Sequence, residues 1–429
     1  MIRIKRTDSN FEREPFLAPF GFKGGYLDEL WQVAALMVGE SGYRAVGLGA
    51  QSVLWSDASV FTGNSQSAGN SAMFLITEYA LRKAKDMVFD TPMDLLDQLL
   101  PLAYEYGKRI TNNNELRMTF ALNALVAVDN AAWLLYCHER GITDFDEMIP
   151  QGIRPALAFH NKKLAGIPLI TYGIPINEVE KALDEGYSFL KIKIGSDPQK
   201  DGDQEKMLEW DKQRLSEIHD IAGDRENPYS ENGRMPYYLD ANGRYDCKDR
   251  LLRFLEHADK IGALDRIILL EEPFPEDYKI DVSDIPIRLV SDESAHSDKD
   301  ALERIELGYG AIALKPIAKT MSMSLKICQV AHERGIPCFC ADLTVNPIMV
   351  DWNKNMAARL APLPGMKIGV LESNGHQNYL HWNEMKKYHP AYGNRWIEID
   401  RGVYNLDEAF YSRSGGIFES SSHYDSLVK

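Results

Sequence analysis

The chain has 429 residues, 45% of them hydrophobic and 26% charged, with a formal net charge of −15. That length suits a core of about 250 residues plus a second domain, and the acidic balance disfavours a phosphate-backbone partner, which needs clustered Lys and Arg. Five cysteines without Cys-x-x-Cys spacing argue against a disulfide framework or a zinc ribbon.

The opening "MIRIKRTDSNFEREPF" carries charges where a secretory signal would be apolar, and no run of about 18 apolar residues suggests a membrane span. A cytoplasmic protein without membrane or nucleic-acid partners is therefore expected. Residues 30–60 read as strands joined by a Gly-containing turn, and residues 72–149 as a run of helices that includes "TFALNALVAVDNAAWLLYCHERG". Between them "GNSQSAGNSA" (63–72) reads as a solvated linker or as a flap over a site. Residues 1–155 are thus expected to form an α+β capping domain.

From about residue 165 short apolar runs alternate with amphipathic helical stretches. The runs are "IPLITYG" (167–173), "FLKIKIG" (189–195), "YYLDANG" (237–243), "IILLEEP" (267–273), "IRLVSDES" (287–294), "AIALKP" (311–316), "PCFCADL" (337–343) and "MKIGVLES" (366–373). Strand alternating with helix eight times implies parallel strands with right-handed crossovers, hence a closed β/α barrel over residues 156–390. "RENPYSENGRMP" (225–236) is too polar and turn-rich to be an element. The tail, 391–429, is Gly-rich and strand-like and is expected to pack back on the capping domain.

In such barrels chemistry sits at the carboxyl ends of the strands. The second run offers Lys191 and Lys193, the third Asp240 with Asn242, the fourth Glu271 with Glu272, the fifth Asp292 with Glu293, the sixth Lys315 and the eighth Glu372. Period-two alternation sends Lys191 and Lys193 to one side of their strand. Three adjacent strands ending in acids converge carboxylates on one point, where an all-oxygen set suits Mg²⁺. Crowding by that cation is expected to lower an amine pKa until a lysine becomes a base. Lysines on both sides of a metal suit removal of a proton α to a carboxylate, with the enediolate stabilised by the cation and by Glu372.

These pieces, "KIK" (191–193), "DANG" (240–243), "EEP" (271–273), "SDES" (291–294), "ALKPIAK" (313–319) and "LES" (371–373), resemble in their order the enolase superfamily, in its muconate lactonizing enzyme and mandelate racemase branches. "AVDNAAWLL" (127–135) is similar to the family's last capping-domain helix. The resemblance implies a modified (β/α)7β-like TIM barrel under a capping domain built from the N-terminal segment and the C-terminal tail. It implies Asp240, Glu271 and Asp292 as ligands of one Mg²⁺, Glu272 and Glu293 lying outside that set. Lys193 and Lys315 become the acid/base pair, Lys191 the group that neutralises the substrate carboxylate, and Glu372 the acid that assists the enolate. Lys315 on the sixth run favours the muconate lactonizing branch, and "LESNGHQNY" lacks the Asp-x-Asp by which dipeptide epimerases grip an amine.

His376 and Asn242 are candidate substrate contacts, and specificity is expected from capping loops such as "FLAPFGFKGG" (16–25). The expected activity is racemisation or epimerisation of a small carboxylic acid by a homo-oligomeric enzyme. Dehydration of a hydroxy or sugar acid and cycloisomerisation remain open from the same intermediate, as does a catalytically silent metabolite-binding protein. A metal-dependent hydrolase is disfavoured, because no His-x-His or His-x-x-x-His spacing occurs.

Overall fold

A computed structural model describes residues 1–22 and 25–429. Its N-terminal part is a four-stranded antiparallel sheet in the order Arg44–Gln51, Gly25–Gly39, Ile2–Phe22, Val88–Phe89. The long strand Ile2–Phe22 has no counterpart in the sequence reading. Its charged residues alternate with few buried anchors, chiefly Ile2, Ile4 and Phe16, so it is held by its ladder to Gly25–Gly39 rather than by an apolar face of its own. The expected loop at 16–25 is therefore mostly strand, apart from residues 23 and 24, which lie outside the described residues.

Helices Gln66–Ala84, Pro92–Thr111 and Met118–Arg140 cover this sheet. The stretch 63–72 is neither linker nor flap beyond its first residues. Ser65 accepts a hydrogen bond from the amide of Ala68 and starts a helix in which Gly69 and Asn70 are buried. Met118–Arg140 is, against expectation, long and apolar enough to cross a membrane, but it lies almost wholly inside the protein. It presses on the strand Arg44–Gln51 at Gly47, where a Cβ would come within 2.1 Å of the Ala131 nitrogen, so only glycine fits that approach.

The second sheet curls into a barrel. Its eight parallel segments are Lys163–Ile170, split at Pro168, then Leu190–Lys193, Tyr237–Asp240, Ile267–Glu271, Leu289–Ser291, Ala311–Leu314, Cys338–Cys340 and Gly369–Glu372. The first half of the split strand pairs with the eighth strand and the second half with the second strand, which closes the ring. The expected alternation fails once. The connection 272–288 carries no helix. The tail adds Val403–Asn405 antiparallel to the first strand, then reaches the long hairpin, where His423 meets Glu12 at 2.8 Å.

Candidate active site

The barrel interior follows the period of two. Phe189, Tyr238, Leu269, Val290, Ala313 and Val370 form its packed lower layer. Two residues further on, and so on the same face, come Lys191, Asp240, Glu271, Asp292, Lys315 and Glu372. The intervening Leu190, Ile192, Leu239, Leu270 and Leu289 face outward into the apolar layer under the helices. Six polar residues thus stand on one apolar floor, and Lys193 stands one step above Lys191.

These side chains bond one another. The Lys191 ammonium lies 3.0 Å from Asp240, 3.1 Å from Glu271 and 3.2 Å from Glu372. Lys193 donates to Asp240 Oδ2 and to Asn242 Oδ1, both at 2.5 Å. Across the floor Lys315 pairs with Asp292, and its ammonium also lies 4.6 Å from the centre of the Trp55 ring. Strands two and six, which carry Lys193 and Lys315, stand four apart in a ring of eight, so the two amines approach from opposite sides with the acid-bearing strands between them.

One oxygen each from Glu271, Asp292 and Glu293 falls within a 4.8 Å group, the arrangement among the described residues that suits a metal ion. Glu293 therefore stands closer to the centre than expected, while Asp240 is drawn toward the two lysines of strand two. Glu272 keeps to a supporting role: its Oε1 accepts from the amides of Asp292 and Ser294, at 2.7 and 2.8 Å, and fixes the end of strand five.

Charge sets the titration of the floor. Burial raises the Glu271 carboxyl to about 8, against the pull of Lys191. Burial acts the same way on Asp240, but Lys191 and Lys193 outweigh it and bring that group down to about 2. Asp292, facing Lys315 and Lys319, is likewise held below the ordinary range despite its burial. Lys191 and Lys315 respond to the carboxylates around them. Burial lowers both, yet the surrounding carboxylates, Asp240 first for Lys191 and Asp292 first for Lys315, carry them above the ordinary lysine range.

The floor opens into a cavity of about 60 Å³, lined by the six floor residues, by Lys193 and Glu293, and by Asn242. His376 does not line it. Its Nε2 lies 3.1 Å from the Tyr187 hydroxyl, and burial lowers it to about 4. Two contributors, Lys319 and Trp55, escaped the sequence reading. Lys319 is buried and donates to the Asp292 main chain and to the Ala295 carbonyl; its place four residues after Lys315 in a short helix was the available signal. Asp342, at the end of strand seven, accepts from the Asn374 amide at 2.6 Å and is raised to about 7 by burial and by Glu372. Trp55 belongs to the capping domain and had no local signal.

No family model and no curated protein matches this chain. Solved structures do. A mandelate racemase/muconate lactonizing protein from Herpetosiphon aurantiacus superposes with a TM-score of 0.65 at 16% identity, covering 94% of this chain and 96% of that one. A dipeptide epimerase from Enterococcus faecalis V583, complexed with Mg and L-Leu-L-Tyr, gives 0.63 at 17% identity, with 95% and 98% covered. An N-succinyl Arg/Lys racemase from Bacillus cereus ATCC 14579 gives 0.63 at 15%, with 94% and 93% covered. At these identities the likeness is one of fold, and it extends over nearly the whole of each chain: this protein has the modified TIM barrel and capping domain of those structures.

Proposed function

We propose that the protein is an enolase-superfamily isomerase that removes the proton α to a substrate carboxylate and returns one to the opposite face. The observation that carries this reading is the opposition of Lys193 and Lys315 across a buried carboxylate cluster. Two of the similar structures are an epimerase and a racemase by name, and one was solved with Mg, which supports the same class.

The donor set fits a hard divalent cation, since it is all carboxylate oxygen. Glu271 and Asp292 would hold it. The third oxygen comes from Asp240, in line with the strand ends, or from Glu293, which already stands in the group. When bound, a divalent cation supplies positive charge to these carboxylates and to that of the substrate, lowering the cost of losing the α-proton and freeing the amines from their carboxylate partners.

The chain's own residues do the rest. Lys191, on the floor between Asp240 and Glu372, neutralises the substrate carboxylate. Lys193 takes the proton from one face and Lys315 serves the other, each limited to its own side by its place in the ring. Glu372, in its neutral acid form, donates a hydrogen bond to the carboxylate oxygen on which negative charge develops as the α-proton leaves. A second reading, β-elimination, is supported by Asp342, whose carboxyl stays partly protonated near neutrality and can donate to a leaving hydroxyl.

The test is α-hydrogen exchange in D₂O with Mg²⁺ on both configurations of a turned-over acid. Lys193→Ala is expected to remove exchange from one configuration and Lys315→Ala from the other, each by roughly 10²- to 10⁴-fold. Full exchange in both variants would end the two-base reading. A 2-keto acid formed from one configuration alone would select elimination.

A further inference from the structure

The floor of the cavity is charged, but its roof is not. Phe20, Leu27 and Leu30 come from the long hairpin, Trp55 from the short helix after the third strand, Leu169 from the split barrel strand, and Leu343 from the turn after strand seven.

The hairpin reaches the cavity because its pairing slips. Pro15 faces Glu29 and Phe20 faces Leu27, so the first strand holds three residues more than its partner over that interval. A bulge of this kind bends a ribbon and re-aims its side chains. The bulge docks on the loop after strand eight: Phe16 bridges to Tyr379, and the Leu380 amide donates to the Pro15 carbonyl at 3.0 Å. Beyond it, Phe20 and Leu27 form a facing pair, and with Leu30 they lie along the cavity wall.

Of the polar groups near this roof, Ser52 stands beside Trp55, and Thr344 and Asn374 are engaged with the protein. The Thr344 hydroxyl donates to Asn374 Oδ1 at 2.6 Å, and the Asn374 amide donates to Asp342. Among the described residues the cavity's basic groups are Lys191, Lys193 and Lys315, and all three are bonded to the carboxylates of the floor.

We propose that the substrate is a carboxylic acid whose far end is an uncharged apolar group, alkyl or aryl, received by the roof of Phe20, Leu27, Leu30, Trp55, Leu169 and Leu343. This rests on the preceding reading, in which the carboxylate end lies at the floor. A polyhydroxy acid brings several hydroxyls to a mostly apolar wall in which Ser52 and Asn374 are the few polar partners, and a second carboxylate adds negative charge over a cluster of six acids and three lysines. The roof therefore disfavours sugar acids and, with them, dehydration of a sugar acid.

The test uses two readouts on the same protein with Mg²⁺: the thermal shift on adding each acid, and its α-deuterium uptake. The probes are N-acetyl-leucine, N-acetyl-phenylalanine and 2-phenylpropionate against N-acetyl-asparagine, N-acetyl-aspartate and gluconate. Asparagine is nearly the size of leucine, so that pair isolates polarity. The apolar members are expected to bind at least about tenfold more tightly than the polar ones. Leu27→Asn should narrow the leucine-to-asparagine ratio, while Leu27→Met should keep it. Equal or tighter binding of the polar members, or no shift with any apolar one, overturns the proposal. Apolar-ranked shifts without deuterium uptake support the roof and remove proton abstraction instead.

Discussion

Floor and roof of the cavity are built from opposite materials. Every functional group of the floor is charged, buried and bonded to a group of opposite charge, with Lys191 only 3% exposed and Asp240 and Asp292 fully buried. The roof is held by packing, and its side chains come from separated parts of the chain. Buried ion pairs tolerate little change, because removing one partner strands the other at a cost of about 3 to 5 kcal/mol. Apolar walls accept volume-conserving swaps at about 1.5 kcal/mol or less. The floor can therefore keep one half-reaction fixed while the roof changes with the molecule it receives.

The largest expected effect breaks the floor. Asp292→Asn takes a charge from beneath Lys315 and Lys319 and an oxygen from the carboxylate group. Exchange should fall by about 10³-fold or more, and the thermal shift on adding Mg²⁺ should vanish; an unchanged shift would remove Asp292 from the ligand set.

Next in size is a link between the two regions. Asp129, on the capping helix Met118–Arg140, accepts from the Ser322 amide at 2.9 Å and from its hydroxyl at 2.6 Å, just beyond the turn that follows Lys315. Thr320 in that turn holds φ +72, a conformation that burdens a β-branched residue. Burial raises Asp129 from 3.8 to about 7. Its folded value thus lies above its unfolded one, and the native state binds the extra proton between them. Its contribution to stability is full below about pH 4 and is lost as pH rises through about 7, by at most about 4 kcal/mol. Denaturation of wild type and Asp129→Asn from pH 4 to 8 should show the wild type losing stability relative to the variant; parallel curves would refute the shift.

Trp55→Leu tests a place where roof meets base. Losing the ring beside the Lys315 ammonium should slow exchange about 3- to 30-fold, and only for the configuration that Lys315 serves. Equal slowing of both configurations would assign Trp55 to general packing. The smallest effect belongs to His376→Ala. Because that ring is turned to Tyr187 and away from the cavity, exchange should change by less than about twofold.

The floor was legible from sequence because a strand end marks itself. An apolar run closed by Lys, Asp or Glu gives both the position and, through the period of two, the face, so Lys191, Asp240, Glu271, Asp292, Lys315 and Glu372 could be read off one by one and are found together. The roof was legible only as the expectation that the capping segment 16–25, which holds Phe20, sets specificity. Nothing local to Leu27 or Trp55 records that a bulge near Pro15 bends the hairpin over the barrel. The strand Ile2–Phe22 was missed for a related reason, since its partner holds it and its own pattern is mostly polar. His376 was named because it follows strand eight, where position alone does not say which way a ring turns.

The central claim is a cation site lying between two opposed lysines, and diffraction from crystals grown with Mn²⁺ tests it most directly. An anomalous peak is expected about 2.0 to 2.3 Å from oxygens of Glu271 and Asp292, with Asp240 or Glu293 identified as the third ligand by the same map. The Lys193 and Lys315 amines should flank the peak from opposite sides. A peak elsewhere, none at all, or both amines on one side of it would contradict the account.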